Sequence, residues 1–189
     1  MSWLQDASTG ISGAWRLMRL DPRGMTIFER SVDECRRSFM AAVILFPVVM
    51  LIMIMNREPA VWEQVGTFRI LAIETIGYVV RWTFFPLAAL PLCTWLGRGP
   101  LYPGFITAYN WAQVLETLPL VFLVALAAMG AISKETASLL FLIIFILSLA
   151  YEGFIAWAAL RLPRLAVFAM LLLDLTAAEF VNRLTSSFY

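Results

Sequence analysis

Five long runs of apolar residues dominate this chain and leave few folds open to it. They cover approximately residues 38–55, 68–96, 104–132, 136–160 and 164–184. A helix that crosses the hydrocarbon core of a bilayer needs about 20 mostly apolar residues. Only 14% of the 189 residues are charged, against about a quarter in a soluble domain, and the mean hydropathy is +0.82. We therefore predict an all-α, polytopic membrane helix bundle with five transmembrane helices in residues 38–189.

The distribution of Lys and Arg predicts the orientation of this bundle, because cytoplasmic loops carry an excess of these residues. With the N-terminus in the cytoplasm, nine basic residues fall on the cytoplasmic side and four on the other. Dividing the third run into two helices would give six spans and remove this asymmetry, so five spans are favoured. We expect an integral protein of the bacterial inner membrane, with the C-terminus on the side opposite the cytoplasm.

Residues 1–37 form the predicted cytoplasmic N-terminal segment, whose first part has the pattern of an amphipathic helix. Apolar residues recur there at three- and four-residue spacing, which is the helical period, and Arg residues lie off the stripe. Such a helix suits the membrane interface, where each basic residue contributes about 1 kcal/mol of attraction to anionic headgroups. The stripe contains Leu4, Ala7, Ile11, Ala14, Trp15 and Met18. The five candidate interfacial residues are Ile11, Trp15 and Met18 of this stripe and, off it, Arg16 and Arg19.

A break separates this helix from the first apolar run. Pro22 and Gly24 interrupt it, because proline and glycine punctuate helical segments. Thr26 and Glu29 then have the Thr-x-x-Glu spacing of a capping box. We predict that one helix begins at about Ile27 and continues into the first apolar run.

Six polar residues inside the apolar runs are candidates for a polar network within the membrane. Ionisable side chains in hydrocarbon are costly and mark functional sites by default. The central position of Arg81 predicts that it pairs with Asp174, Glu116 or both. Glu74 and Arg81 are seven residues apart and share a helix face, which is expected to point into the bundle. The candidate network is Glu74, Arg81, Asn110, Glu116, Glu152 and Asp174.

Two roles are open for these residues. Four carboxyl groups accompany one central arginine, and burial favours the neutral form of a carboxyl group. A chain of protonatable groups is what a proton or cation path needs, whereas interhelical hydrogen bonds also hold membrane bundles together. The polar side of the third run, formed by Asn110, Gln113 and Thr117, offers the same choice between interhelical bonding and a shallow aqueous cavity.

The residue inventory indicates no enzymatic site. Histidine is absent, which removes a His general base and metal ligation through His. Cys35 and Cys93 lack metal-ligand spacing and are expected to be free thiols. No Gly-rich phosphate loop and no nucleophile with a base is visible in the sequence. We expect no enzymatic activity, no cofactor, no metal and no nucleic-acid partner.

The stretch GAWRLMRLDPRGMTIFERSVDECRRSF resembles the segment that opens small bacterial members of the Yip family, membrane proteins with five spans that interact with Rab-type GTPases. The resemblance rests on an amphipathic helix, a DPxG break, the pattern of Phe28, Ser31, Ser38 and Phe39, and the stretch YNWAQ in the third run. It implies a compact helical bundle that acts as a non-enzymatic scaffold or partner-binding protein in membrane organisation. It carries over no catalytic residues.

Two other functions are kept as alternatives. One is a small transporter or proton-coupled permease that uses the buried carboxylates. The other is an accessory subunit of a larger membrane complex. The expected partners are a bilayer with anionic headgroups and a second membrane protein, and the sequence favours no oligomeric state.

Overall fold

The computed structural model describes residues 3–189, and the described chain is helical without any strand. Two short 3-10 helices, Pro22–Thr26 and Gly99–Leu101, lie between α-helices. The α-helices are α1 (Trp3–Met18), α2 (Val32–Ser38), α3 (Met40–Asn56), α4 (Pro59–Val65), α5 (Thr67–Trp95), α6 (Tyr102–Ala128), α7 (Lys134–Leu160) and α8 (Arg164–Ser186).

Five helical segments in the described chain are long and apolar enough to cross a membrane, as predicted from the five apolar runs. The first joins α2 and α3 across a slight irregularity at Phe39. The third is not divided, because Pro119 lies inside a continuous α6. The segments are Val32–Asn56, Thr67–Trp95, Gly99–Ala128, Lys134–Leu160 and Arg164–Ser186.

The predicted helix start at about Ile27 is wrong. Thr26 ends a 3-10 helix, and its hydroxyl donates to the carbonyl of Arg23 at 2.8 Å instead of capping an α-helix. Arg30 has a left-handed φ of 59°, a conformation that an α-helix does not accommodate. The cap is Ser31, whose hydroxyl accepts the backbone N–H of Glu34 at 3.0 Å. Helix α2 therefore begins five residues later, at Val32.

Helix α6 is the element around which the bundle is arranged. It packs against α1, α2, α3 and α7, whereas α5 packs chiefly against α8. Contacts between α7 and α8 join these two groups of helices. The core is built largely on small and aromatic residues of α6, which allow helices to approach closely. Its fully buried members include Phe105, Ile106, Ala108, Trp111 and Ala112.

Helix α1 is docked on the bundle by a face of small residues. Gly10 lies under the indole of Trp111, and Gly13 lies under the ring of Phe28. The hydroxyl of Tyr151 donates to the carbonyl of Ala14 at 2.7 Å, which ties α1 to α7. Residues of the predicted N-terminal segment and of the predicted transmembrane domain thus share one hydrophobic core.

The predicted apolar stripe of α1 divides into two parts in the structure. Ala7 and Ala14 face the bundle, whereas Trp15 is 52% exposed and Leu4 is 59% exposed. Ile11 and Met18 are half-buried at the boundary between these parts, and Arg16 and Arg19 are exposed. The exposed flank that contains Trp15 has the composition for contact with a membrane surface, and this contact stays a prediction.

We expect Gly10→Ala to destabilise the protein. Alanine is the better helix former by about 1 kcal/mol, but a Cβ at Gly10 would collide with the buried Trp111 indole. Overpacking of this kind costs about 1–3 kcal/mol. The measurement is thermal unfolding in detergent, together with hydrogen exchange of residues 5–18.

Ser12→Ala is the matched control, because Ser12 lies on the exposed side of the same helix. It should change stability by no more than about 0.5 kcal/mol. A Gly10→Ala protein as stable as the control would show that α1 is not held by this contact.

Candidate functional site

A cavity of about 260 Å³ lies among α5, α6, α7 and α8, between the middles of the spans. It separates the α5–α8 pair from the α6–α7 pair, and every one of the four helices contributes polar and apolar residues. Five of the six predicted network residues line it, which are Arg81, Asn110, Glu116, Glu152 and Asp174. Glu74 does not.

Three carboxyl groups from three helices meet at this cavity. Glu116 of α6, Glu152 of α7 and Asp174 of α8 all line it. The hydroxyl of Tyr109 donates to Asp174 Oδ1 at 2.9 Å. The side-chain amide of Gln113 donates to Glu152 Oε1 at 3.4 Å, which is a long contact. Asp174 and Glu152 are therefore positioned by neutral donors of α6.

Glu116 is the least satisfied of the three. It is 8% exposed, and its Oε1 atom has no hydrogen-bond partner among the described residues. A buried polar atom without a partner costs about 1–3 kcal/mol and more when it is charged. An unpartnered carboxyl oxygen that lines a cavity is available to a proton, a water molecule or a bound cation.

The helical period explains why α6 supplies most of the polar surface. Tyr109, Gln113 and Glu116 are separated by four and three residues, so they lie on one face. Thr117 belongs to the same polar stretch, but its hydroxyl donates to the carbonyl of Gln113 at 2.7 Å within α6.

Asn110 connects α6 to the first span. It is fully buried, and its side-chain amide donates to Ser38 Oγ at 2.8 Å. It also lines the edge of the cavity, as Gln113 does. Asn110 and Gln113 thus make the interhelical hydrogen bonds that were one of the two alternatives for this side of α6, while the aqueous cavity stays a prediction.

The predicted ion pair of Arg81 is wrong. No ion pair within 4 Å in residues 3–189 includes Arg81; its guanidinium donates instead to Asn182 Oδ1 of α8. Because α5 packs against α8, the long side chain reaches this amide two turns beyond Asp174. Arg81 is exposed and stands at the rim of the cavity.

Glu74 belongs to a separate cluster in the N-terminal part of α5. It accepts hydrogen bonds from Arg57 and from the hydroxyl of Tyr189, and the Arg57 guanidinium lies 4.2 Å from the centre of the Tyr189 ring. Burial, and then the hydrogen bond with Glu74, raises the pKa of the Tyr189 hydroxyl. Tyr78 of the same helix donates its hydroxyl to the carbonyl of Ala42 in α3.

The charge balance limits what the cavity can do chemically. Three carboxyl groups face it, and Arg81 is the only cationic side chain among its described lining residues. Hydrocarbon does not support three anions at close range, so charge must be neutralised by protons or by a bound cation. Within residues 3–189, no group of three or more Asp, Glu or Cys side chains is placed to hold a metal ion.

Several site residues were not predicted from the sequence. Tyr109 was noted only as part of a polar stretch, although its spacing from Gln113 and Glu116 places it on their face. Asn182 and Tyr189 gave no signal, because their partners are more than a hundred residues away in the chain. The aromatic residues that line the cavity cannot be distinguished in the sequence from the other apolar residues of the same runs.

Comparisons with protein-family models, curated proteins and solved structures yield no match to this chain. The fold defines the protein as an all-helical bundle in which five helical segments are long and apolar enough to span a membrane. The resemblance to the Yip family stays a hypothesis.

Glu74 can be separated from the cavity residues experimentally. We expect Glu74→Ala to release the C-terminal residues, because it removes the acceptor for both Arg57 and Tyr189. Amide exchange in residues 184–189 should accelerate roughly fivefold, as for the loss of about 1 kcal/mol. Glu63→Ala, at an exposed position of α4, is the control, and equal exchange in the two variants would contradict the assignment.

Proposed function

We propose that this protein is a small proton-coupled permease whose central cavity exchanges protons with a bound cation. The observation that supports this proposal is the meeting of Glu116, Glu152 and Asp174, from three different helices, at one cavity inside the spans. A structural role alone would require these groups to satisfy one another. Glu116 does not meet this requirement, because its Oε1 atom has no hydrogen-bond partner among the described residues.

Competition between protons and a cation follows from the same geometry. When the cavity is empty, protons neutralise the carboxyl groups in their apolar surroundings. When a cation binds, its charge replaces that of one or more protons. The groups that face these carboxyls are Arg81 from α5 and Tyr109 and Gln113 from α6. None of these three is a further carboxyl group that could take up the proton. Binding and proton release are then linked reciprocally.

The helices that line the cavity also contain points at which their shape could change. Pro86 lies on the wall of the cavity within α5, and Pro119 lies within α6. A proline inside a helix removes one backbone hydrogen bond and bends the helix. Broken or bent helices line the substrate sites of many transporters. Bending at these positions would alter the access to the cavity without unfolding either span.

Proton movement in liposomes tests the proposal. Protein is reconstituted with an internal pH indicator, and an outward gradient of K⁺, Na⁺ or tetraphenylphosphonium, each tested in turn against empty liposomes, drives protons inward by exchange. Acidification is expected with the wild-type chain and lost in Glu152→Gln and Asp174→Asn, because an amide cannot carry a proton between sites. Arg81→Leu is expected to reduce the flux, since it removes the cation at the rim.

Glu179→Gln is the matched control. Glu179 lies on α8 like Asp174, but it is exposed and pairs with Arg183 at 2.6 Å. This variant should transport as the wild type does. Flux that persists in the Glu152 and Asp174 variants, or variants that do not accumulate as folded protein, would favour a structural role for the carboxyl groups.

The second candidate function is that of a non-enzymatic scaffold or partner-binding protein of Yip type in the bacterial inner membrane, with a cytoplasmic N-terminus. It is favoured by apolar residues outside the spans that are exposed on the docked N-terminal segment. Trp3 is 58% exposed and Leu20 is 64% exposed, alongside Trp15. Exposed tryptophans of this kind serve either a lipid headgroup region or a protein partner.

Native mass spectrometry of protein extracted gently from its own membrane distinguishes these functions. A scaffold or accessory subunit should carry a second polypeptide in fixed ratio, and Trp15→Ser should remove it. Trp95→Ser is the control, because Trp95 is 82% exposed at the end of α5, away from α1. A monomer or homo-oligomer alone would count against this candidate.

A further inference from the structure

The cavity has an aromatic wall beside its carboxyl groups. Phe85 of α5 and Tyr109 of α6 contact each other, with ring centroids 4.6 Å apart. Trp82 of α5 and Phe141 and Phe145 of α7 line the same space. Aromatic faces attract organic cations, most strongly where water is excluded. The combination of aromatic rings and carboxyl groups is chemically suited to an organic cation.

Polarity changes along the cavity from one end to the other. On α7, the residues Phe141, Phe145, Ser148 and Glu152 follow one another at four- and three-residue spacing and so share a helix face. Phe141 is 55% exposed and Phe145 is 40% exposed, whereas Glu152 meets the buried Glu116. A ligand that follows this face passes from an apolar opening to a polar end over roughly 16 Å.

The opening lies within the membrane-spanning part of the bundle. Phe141 and Phe145 are seven and eleven residues into α7, which corresponds to roughly 10 and 16 Å from its start. Their neighbours Leu142, Ile143 and Ile146 are exposed as well. A bilayer around these spans would therefore bring lipid to the mouth of the cavity, and a ligand would reach it from the hydrocarbon.

Size and charge further restrict the ligand. A cavity of about 260 Å³ is near the lower end of small-molecule sites, so a headgroup or a few rings would fill it while any tail extends through the opening. The carboxyl groups are not placed to form a compact metal site. They lie on separate helices, at positions better matched to a bulky cation than to a bare ion.

We propose that the cavity binds lipophilic organic cations, which enter sideways from the bilayer between the exposed phenylalanines of α7 and place their charge beside Glu152 and Asp174. This inference rests on the site of the proposed permease and names its substrate class. The aromatic rings account for selection of an apolar cation over a hydrated one, and the carboxyl groups account for the sign of its charge.

The probe is tetraphenylphosphonium, measured by equilibrium dialysis against the full chain in lipid nanodiscs, with empty nanodiscs as background. We expect saturable binding above background. Tetraphenylborate, which has a similar shape and the opposite charge, should not compete. Tetramethylammonium, which has the same charge without an apolar surface, should compete only at much higher concentration.

Variants assign the two parts of the site. Asp174→Asn and Glu152→Gln should each weaken binding by roughly tenfold or more, as for the loss of a buried charged contact, and Glu179→Gln should not. Phe145→Ala should weaken binding of tetraphenylphosphonium, because its ring lines the cavity. Because Phe145 is 40% exposed, we expect this variant to unfold at the temperature of the wild type, and thermal unfolding checks this.

Different outcomes overturn the inference and the proposed function separately. Binding equal to that of empty nanodiscs, or equal binding of tetraphenylborate, overturns the inference even where proton flux is present. Competition by tetramethylammonium at the same concentration as tetraphenylphosphonium would also overturn the inference, because it would show that the site binds a hydrated cation as well as an apolar one. Saturable binding that depends on Asp174, in a protein without proton flux, would retain the inference and overturn the permease.

Discussion

A carboxyl group buried among apolar helices has no bulk water to bond to, and this constraint organises the centre of the bundle. Glu116, Glu152 and Asp174 sit on three helices that could each present them to lipid, yet the structure turns all three toward one cavity. Tyr109 and Gln113 supply the hydrogen bonds that lipid cannot. The packing of α5 to α8 around this point follows, because the helices must leave room for the polar groups and still exclude hydrocarbon from them.

Helix α6 connects this centre to the surface of the protein. It carries Glu116 at the cavity, Asn110 against Ser38 of the first span, and Trp111 against Gly10 of α1. The N-terminal segment is thereby part of the bundle, although its sequence is that of an interfacial helix. A membrane-facing flank with Trp15 and a docking face with Ala7 and Ala14 are compatible, because they occupy different sides of one helix.

The number and position of the spans could be predicted because each depends on a property of a single segment, its length and its hydropathy. The membership of the cavity could be predicted in part, since a charged residue inside a span has few alternatives to the bundle interior. The hydrogen-bond partner of Arg81, Asn182, could not be predicted. A pattern along one helix gives the spacing of residues on that helix, but the choice between Asp174 and Asn182 depends on how α5 is rotated against α8. Glu74 was assigned to the network for the same reason, although its partners Arg57 and Tyr189 lie at the end of the bundle.

The sequence by itself determined an all-helical chain with five spans, an amphipathic start, and a small set of polar residues that an apolar environment would not tolerate alone. These properties are local, so composition and periodicity express them directly. Only the tertiary structure decided that three of the acids line one cavity beside an aromatic wall, that Glu74 does not join them, and that the first candidate span begins at Val32. The first two outcomes depend on the rotation and approach of helices far apart in the chain. The third depends on the left-handed backbone at Arg30 and on the Ser31 hydroxyl, which caps the helix that begins at Val32.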